Sequence, residues 1–127
     1  MTRLNDAQSD TIQIIRHGDI VVLVPGAEIE NLSEAAVEQA AQIVLGPLRE
    51  QAPSGMIIDL SQVGFVGSMF LSFLLRCHTI MRKQGSELVL AGVSSRTREL
   101  LRVTALDTIW ALYDTQAEAL DSLGGSD

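Results

Sequence analysis

Met56-Ile57-Ile58-Asp59-Leu60, then Ser68 to Lys83 (SMFLSFLLRCHTIMRK), Gly85, and Glu87-Leu88-Val89-Leu90-Ala91 before Gly92 form the stretch that decides the fold. The first segment is a short, nearly continuous apolar run, the pattern of a strand covered on both faces. The second has helical periodicity. Its polar residues Ser68, Ser72, Arg76, Thr79 and Lys83 follow at steps of four, four, three and four, while Phe70, Phe73, Leu74, Cys77 and Met81 mark the opposite side. Gly85 is the expected stop. The third is again a short buried strand. Strand, helix, strand with tight punctuation implies a parallel pair with a crossover helix.

Working outward, Ile12–Arg16 and Ile20–Val24 are β-branched runs separated by His17-Gly18-Asp19, the pattern of a hairpin. Pro25-Gly26 ends the second strand. Asn31 or Ser33 can cap a helix carrying Ala36, Val37, Ala40, Ile43 and Val44 on one face, and Gly46-Pro47 is expected to interrupt it. Downstream, Ser94 or Ser95 caps a short helix over Arg96–Val103. A last strand is expected near Ile109–Leu112 and a terminal helix near Thr115–Leu120. The order is ββαβαβαβα: an α/β protein with a mostly parallel central sheet and an N-terminal hairpin. Residues 12–121 read as one domain between flexible tails at 1–11 and 122–127.

Charge and composition narrow the function. The 16 acidic residues against 9 basic ones, net −7, with Lys83 the only lysine, lack the basic excess that nucleic-acid binding draws on. Arg96, Arg98 and Arg102 read as a solvated helix face. Cys77 is the only cysteine, so no internal disulfide can form, and its apolar neighbours mark it as buried. No signal-peptide core and no apolar run of membrane length are visible, which makes a cytoplasmic protein without membrane insertion the expectation.

Catalytic patterns are missing. His17 and His78 sit in different elements outside any HxxxH or CxxC spacing, so no metal site and no cofactor are expected. Ser68 and His78 are ten residues apart on one helix, roughly 15 Å, which excludes a Ser–His pair. Gly64-Phe65-Val66-Gly67 is no phosphate loop. Asp59 ends a strand as a receiver-domain phosphoacceptor would, but the first strands bring no companion carboxylates, so it reads better as a cap of the following loop.

The ordered series Ala27-Glu28-Ile29-Glu30, Asp59-Leu60-Ser61, Gly67-Ser68-Met69-Phe70-Leu71, Lys83-Gln84-Gly85, Leu88 to Ser94, Leu100 to Asp107 and Tyr113 to Leu120 resembles the STAS domain family, in particular anti-sigma-factor antagonists. The resemblance implies a STAS-like sandwich and a regulatory protein-binding module, not an enzyme. The implied partners are an anti-sigma factor that is also a serine kinase, and a cognate phosphatase. It places phosphorylation at Ser68 and partner contacts at Glu30, Gly67, Ser68, Met69 and Ser72. The family's Asp before the serine is Gly67 here, and its small Ser-Gly pair is Met69-Phe70. Ser68 is equally readable as a plain helix N-cap, and Glu30 as an acid near a helix start. A STAS-type accessory subunit of a membrane transporter and an enzyme remain as alternative readings.

Overall fold

The protein's structure, a computed structural model, describes residues 12–124. The expected tail at 1–11 and residues 125–127 lie outside the described residues. Strands β1 (Ile12–His17), β2 (Ile20–Pro25), β3 (Gly55–Asp59), β4 (Glu87–Ala91) and β5 (Leu112–Tyr113) form one sheet in sequential order. β1 and β2 are an antiparallel hairpin, with His17 opposite Ile20; β2, β3, β4 and β5 are mutually parallel. Gly18 takes φ +60 at the hairpin tip, a conformation that favours glycine. Helices α1 (Glu34–Glu50), α2 (Ser68–Lys83), α3 (Ser95–Val103) and α4 (Gln116–Ser122) complete the expected ββαβαβαβα order.

The apolar strands hide a period-two pattern. Val21, Leu23, Met56, Ile58, Leu88 and Leu90 belong to a large core with α1 and α2. Val22, Ile57, Val89 and Ala91 point to the other face, where Ala119 and Leu120 of α4 cover them. Both faces are therefore dry, which is why β2 and β3 contain no alternating polar positions. On α2, Phe70, Phe73, Leu74, Cys77 and Met81 are buried as the periodicity implies.

Two expectations are corrected here. Gly46-Pro47 does not interrupt α1, which runs on to Glu50 with Pro47 inside it. Proline removes one amide and costs about 3 kcal/mol in a helix interior. Leu45 and Leu48 flank it and are fully buried, each offsetting about 1.5–3 kcal/mol, and the next turn closes through Gln51 N–H to Pro47 O at 3.0 Å. The last strand is Leu112–Tyr113 rather than Ile109–Leu112. Ala105, at φ +61, ends α3 and starts a 3-10 turn over Leu106–Thr108. The Ile109 amide is then spent on Leu106 O at 3.2 Å, and Trp110 turns inward to 2% exposure.

Candidate partner-binding site at the loop end of the sheet

Because β2, β3 and β4 are parallel, the loops that follow them gather at one end of the sheet. Asp59 closes β3 and is 8% exposed. Its Oδ1 accepts the Ser61 amide at 2.9 Å, the loop-capping role expected of it, and its Oδ2 accepts Gln116 Nε2 of α4 at 2.9 Å. Val63 and Val66 sink into the core and anchor the loop from beneath. Gly92 follows β4 at φ +66; a Cβ there would stand 2.9 Å from Ser61 Cβ and 3.0 Å from Asp59 Oδ1. Only glycine lets these two loops approach so closely.

Gly64 is the point where the neighbouring loops meet. Its N–H donates to Glu30 Oε2 at 2.9 Å, and its carbonyl accepts the Ser94 hydroxyl at 2.7 Å. Glu30 lies in a 3-10 turn, Ala27–Asn31, held by Ile29 N–H to Gly26 O at 3.1 Å and by burial of the Ile29 side chain. Ser94 is the N-cap of α3, accepting the Thr97 amide at 3.2 Å. One residue further along the loop, the half-exposed Phe65 ring lies under the Arg96 guanidinium, 4.6 Å from its centroid, a cation–π contact. The segment leading to α2 is thus fastened to the approach of α1 on one side and to the start of α3 on the other.

At the head of α2 the cap is Gly67, not Ser68. Gly67 has extended dihedrals (φ −82, ψ 177) and its carbonyl accepts the Leu71 amide at 2.9 Å, so Ser68 is the first helical residue. The expectation of Ser68 as N-cap is off by one position, and no side chain caps this helix. Ser68 is exposed, and among the described residues its hydroxyl makes no hydrogen bond. Met69, 39% exposed, and Ser72 share the exposed surface, while Phe70 is buried and packs on Phe73 with centroids 5.2 Å apart. Gly67, Ser68, Met69 and Ser72 therefore form one surface on the first turns of α2. Glu30 is exposed too, but its carboxylate holds Gly64 three residues before that surface. Its geometry is that of a positioning residue.

Cys77, the two histidines and the α3 arginines fit structural roles. Burial pushes the Cys77 thiol up to about 12, so it stays protonated and inert. His17 is exposed at the end of β1, and His78 meets the Trp110 ring edge-on at 6.0 Å. Among the described residues no three His, Cys, Asp or Glu side chains converge as metal ligands. No described helix is long and apolar enough to cross a membrane. Arg98 pairs with Asp114 at 3.8 Å and Arg102 with Glu99, a solvated helix face.

A five-stranded sheet with one antiparallel edge, helices on both faces, and a clamped loop delivering a serine to the head of α2 describes a small regulatory α/β domain. Residues 11–119 match the STAS domain model, and the chain belongs to the STAS domain family. It is 32% identical over 120 residues, 92% of each chain, to the anti-sigma-F factor antagonist RsfB of Mycobacterium tuberculosis. It is 27% identical over 105 residues to the anti-sigma-B factor antagonist of Listeria monocytogenes, covering 81% of this chain and 87% of that one. Among solved structures, an anti-sigma-factor antagonist STAS domain protein from Planctomyces limnophilus superposes with a TM-score of 0.78 at 32% identity, covering 89% of this chain and 97% of that one.

Sequence reasoning missed Gly64, Phe65, Arg96 and Gln116 as parts of this end of the molecule, and read Ser94 only as a cap. Gly64 carried a signal, being a glycine in a loop without an obvious turn motif. Gln116 carried none, since its partner Asp59 lies 57 residues away.

Proposed function

We propose that this protein is an anti-sigma-factor antagonist-type binding module whose partner docks on the head of α2, and that phosphorylation of Ser68 by a kinase-type partner switches the contact off. The observation that carries this reading is the Ser68 hydroxyl: exposed, unbonded among the described residues, and beside the exposed Met69 on a loop fastened from both sides. Two relatives, 32% and 27% identical to this chain, are named as antagonists of anti-sigma factors. A cognate phosphatase would reset the module.

The chemistry is simple. A phosphate brings about −1.5 to −2 charges to an α2 N-terminus that has no acidic residue in its first turn. The helix amides and the positive end of the macrodipole stabilise that phosphate. A docked partner meets it as an unpaired, desolvated charge, which weakens binding strongly. Incubation with the kinase-type partner and ATP, followed by intact mass measurement, should add one phosphate to wild type and none to Ser68→Ala. Ser68→Asp should lose the partner while keeping its fold. A wild-type chain that binds the partner yet stays unmodified would refute the switch.

A further inference from the structure

A cationic groove of about 400 Å³ runs between α1 and α2, along the stretch of α2 leading away from Ser68. Leu75 and Ile80, both half-buried, form its apolar lining. Arg49 of α1 and Arg76 and Lys83 of α2 supply the charge, and Ser72 stands at the end nearest Ser68. This is unusual for a chain of net charge −7, because the groove collects three of its nine basic residues, including the only lysine.

One of the groove's three cations, Arg76, already carries a carboxylate. Glu38 of α1 lies on Arg76 in a two-pronged contact, at 2.9 and 3.3 Å. Its carboxyl is held below the usual range by the Arg76 hydrogen bond first, with Arg49 adding a smaller contribution. Among the described residues Arg49 and Lys83 make no ion pair. The lining therefore has affinity for carboxylates that the chain itself leaves partly unused.

We infer that the groove seats an acidic amphipathic helix of the protein partner, one aliphatic side chain entering between Leu75 and Ile80 and carboxylates meeting Arg49 and Lys83. From Ser72 to Lys83 the groove spans about 16 Å at ~1.5 Å per residue, room for three turns laid helix-in-groove. A nucleic acid fits poorly. Its phosphates would meet two uncommitted cations and an apolar strip, against the long-range repulsion of an acidic protein. The inference rests on the reading that the head of α2 faces a protein partner, because Ser72 belongs to both surfaces.

The test is an NMR titration of the whole labelled chain with a synthetic helical peptide built only of Glu, Leu and Ala, at low salt. Amide shifts should concentrate at Leu75, Thr79, Ile80 and Lys83. The paired variant Arg49→Glu/Lys83→Glu should weaken binding at least about tenfold, and added salt should weaken wild-type binding. Lys83→Gln, a milder change, should show an intermediate loss with an unchanged spectrum elsewhere. Scattered shifts, equal binding of the Lys-for-Glu peptide, or equal binding of a short DNA duplex to the same amides would overturn the inference. The peptide titration needs neither the kinase-type partner nor phosphorylation, so failure of the groove and failure of the Ser68 switch give different results.

Discussion

Replacing Gly67 by aspartate puts an acceptor side chain on a helix that lacks one. The position is extended, at φ −82 and ψ 177, a conformation open to any residue, and a Cβ built there meets nothing within 4 Å. Three effects act together. An aspartate cap improves on glycine by a few tenths of a kcal/mol, or about 0.3. Removing glycine's freedom from the unfolded chain contributes about 0.4–1 kcal/mol. A carboxylate in a first turn that has no acid gains about 0.3–1 kcal/mol from the macrodipole. The first and third overlap, and the chain's net charge of −7 opposes both, so we expect a net gain of about 1 kcal/mol. With an unfolding entropy of about 2.1 cal/mol/K per residue, that gain corresponds to a rise of roughly 4 °C in Tm. Scanning calorimetry of wild type, Gly67→Asp and Gly67→Ala decides the matter. Alanine shares the entropy gain but is a poorer cap than glycine, so it should sit at or below wild type. A Gly67→Asp protein that melts at or below wild type, or an alanine variant that rises as far as the aspartate one, would refute the assignment of Gly67 as the cap.

Other perturbations follow from the same geometry. Ala105→Gly relieves a left-handed alanine at φ +61, a strain of about 1 kcal/mol largely offset by glycine's greater unfolded freedom of about 0.4–1 kcal/mol, and should raise Tm by at most about 2 °C; Ala105→Val should lower it. Gly92→Ala forces a Cβ to 2.9 Å from Ser61 Cβ at φ +66 and should destabilise the protein by about 1–3 kcal/mol in urea unfolding. Glu30→Ala removes the acceptor of the Gly64 amide and should speed hydrogen exchange at that amide, while Glu30→Gln, which keeps an oxygen there, should have a smaller effect. Glu38 has a folded-state pKa below its ordinary 4.5, owing first to the Arg76 hydrogen bond. Its contribution to stability is therefore present above 4.5 and lost as pH falls through the lowered value, so the stability difference between wild type and Glu38→Gln should shrink on acidification below pH 4.5.

The sheet and its order were legible because the pattern is local and redundant. Met56–Leu60 and Leu88–Ala91 admit little but strands buried on both faces, and α2 repeats its polar stripe four times. What escaped was set by competition between distant groups. Gly46-Pro47 reads as a break, and the helix survives because Leu45 and Leu48 are both buried against the core. Ile109 reads as strand, but the left-handed Ala105 commits its amide to a 3-10 turn. For the candidate site, the serine and its neighbours were visible as a motif, whereas the clamp at Gly64 joins residues 34 apart on one side and 30 apart on the other. The off-by-one at the cap has a simpler cause. Serine is the preferred residue at that position and glycine a weaker one, so preference pointed one residue past the true cap.

The clamp bears on how a phosphate at Ser68 would be read. Gly64 is held from both sides, Val63 and Val66 are buried beneath the loop, and Phe70 and Phe73 fix the first turns of α2 in the core. Moving the helix head would break those hydrogen bonds and expose Phe70, a loss of about 1.5–3 kcal/mol for that side chain alone. The helix N-terminus meanwhile offers the phosphate a favourable place where it stands, so the modified chain has little reason to rearrange. In the proposed switch the partner must then sense charge itself rather than a change of shape. Gly67 sharpens that contrast. Where an aspartate would leave the helix head negative in both states, this chain passes from no first-turn acid to about −1.5 to −2. On this reasoning Gly67→Asp, though it stabilises the fold, should narrow the difference in partner affinity between the phosphorylated and unphosphorylated protein.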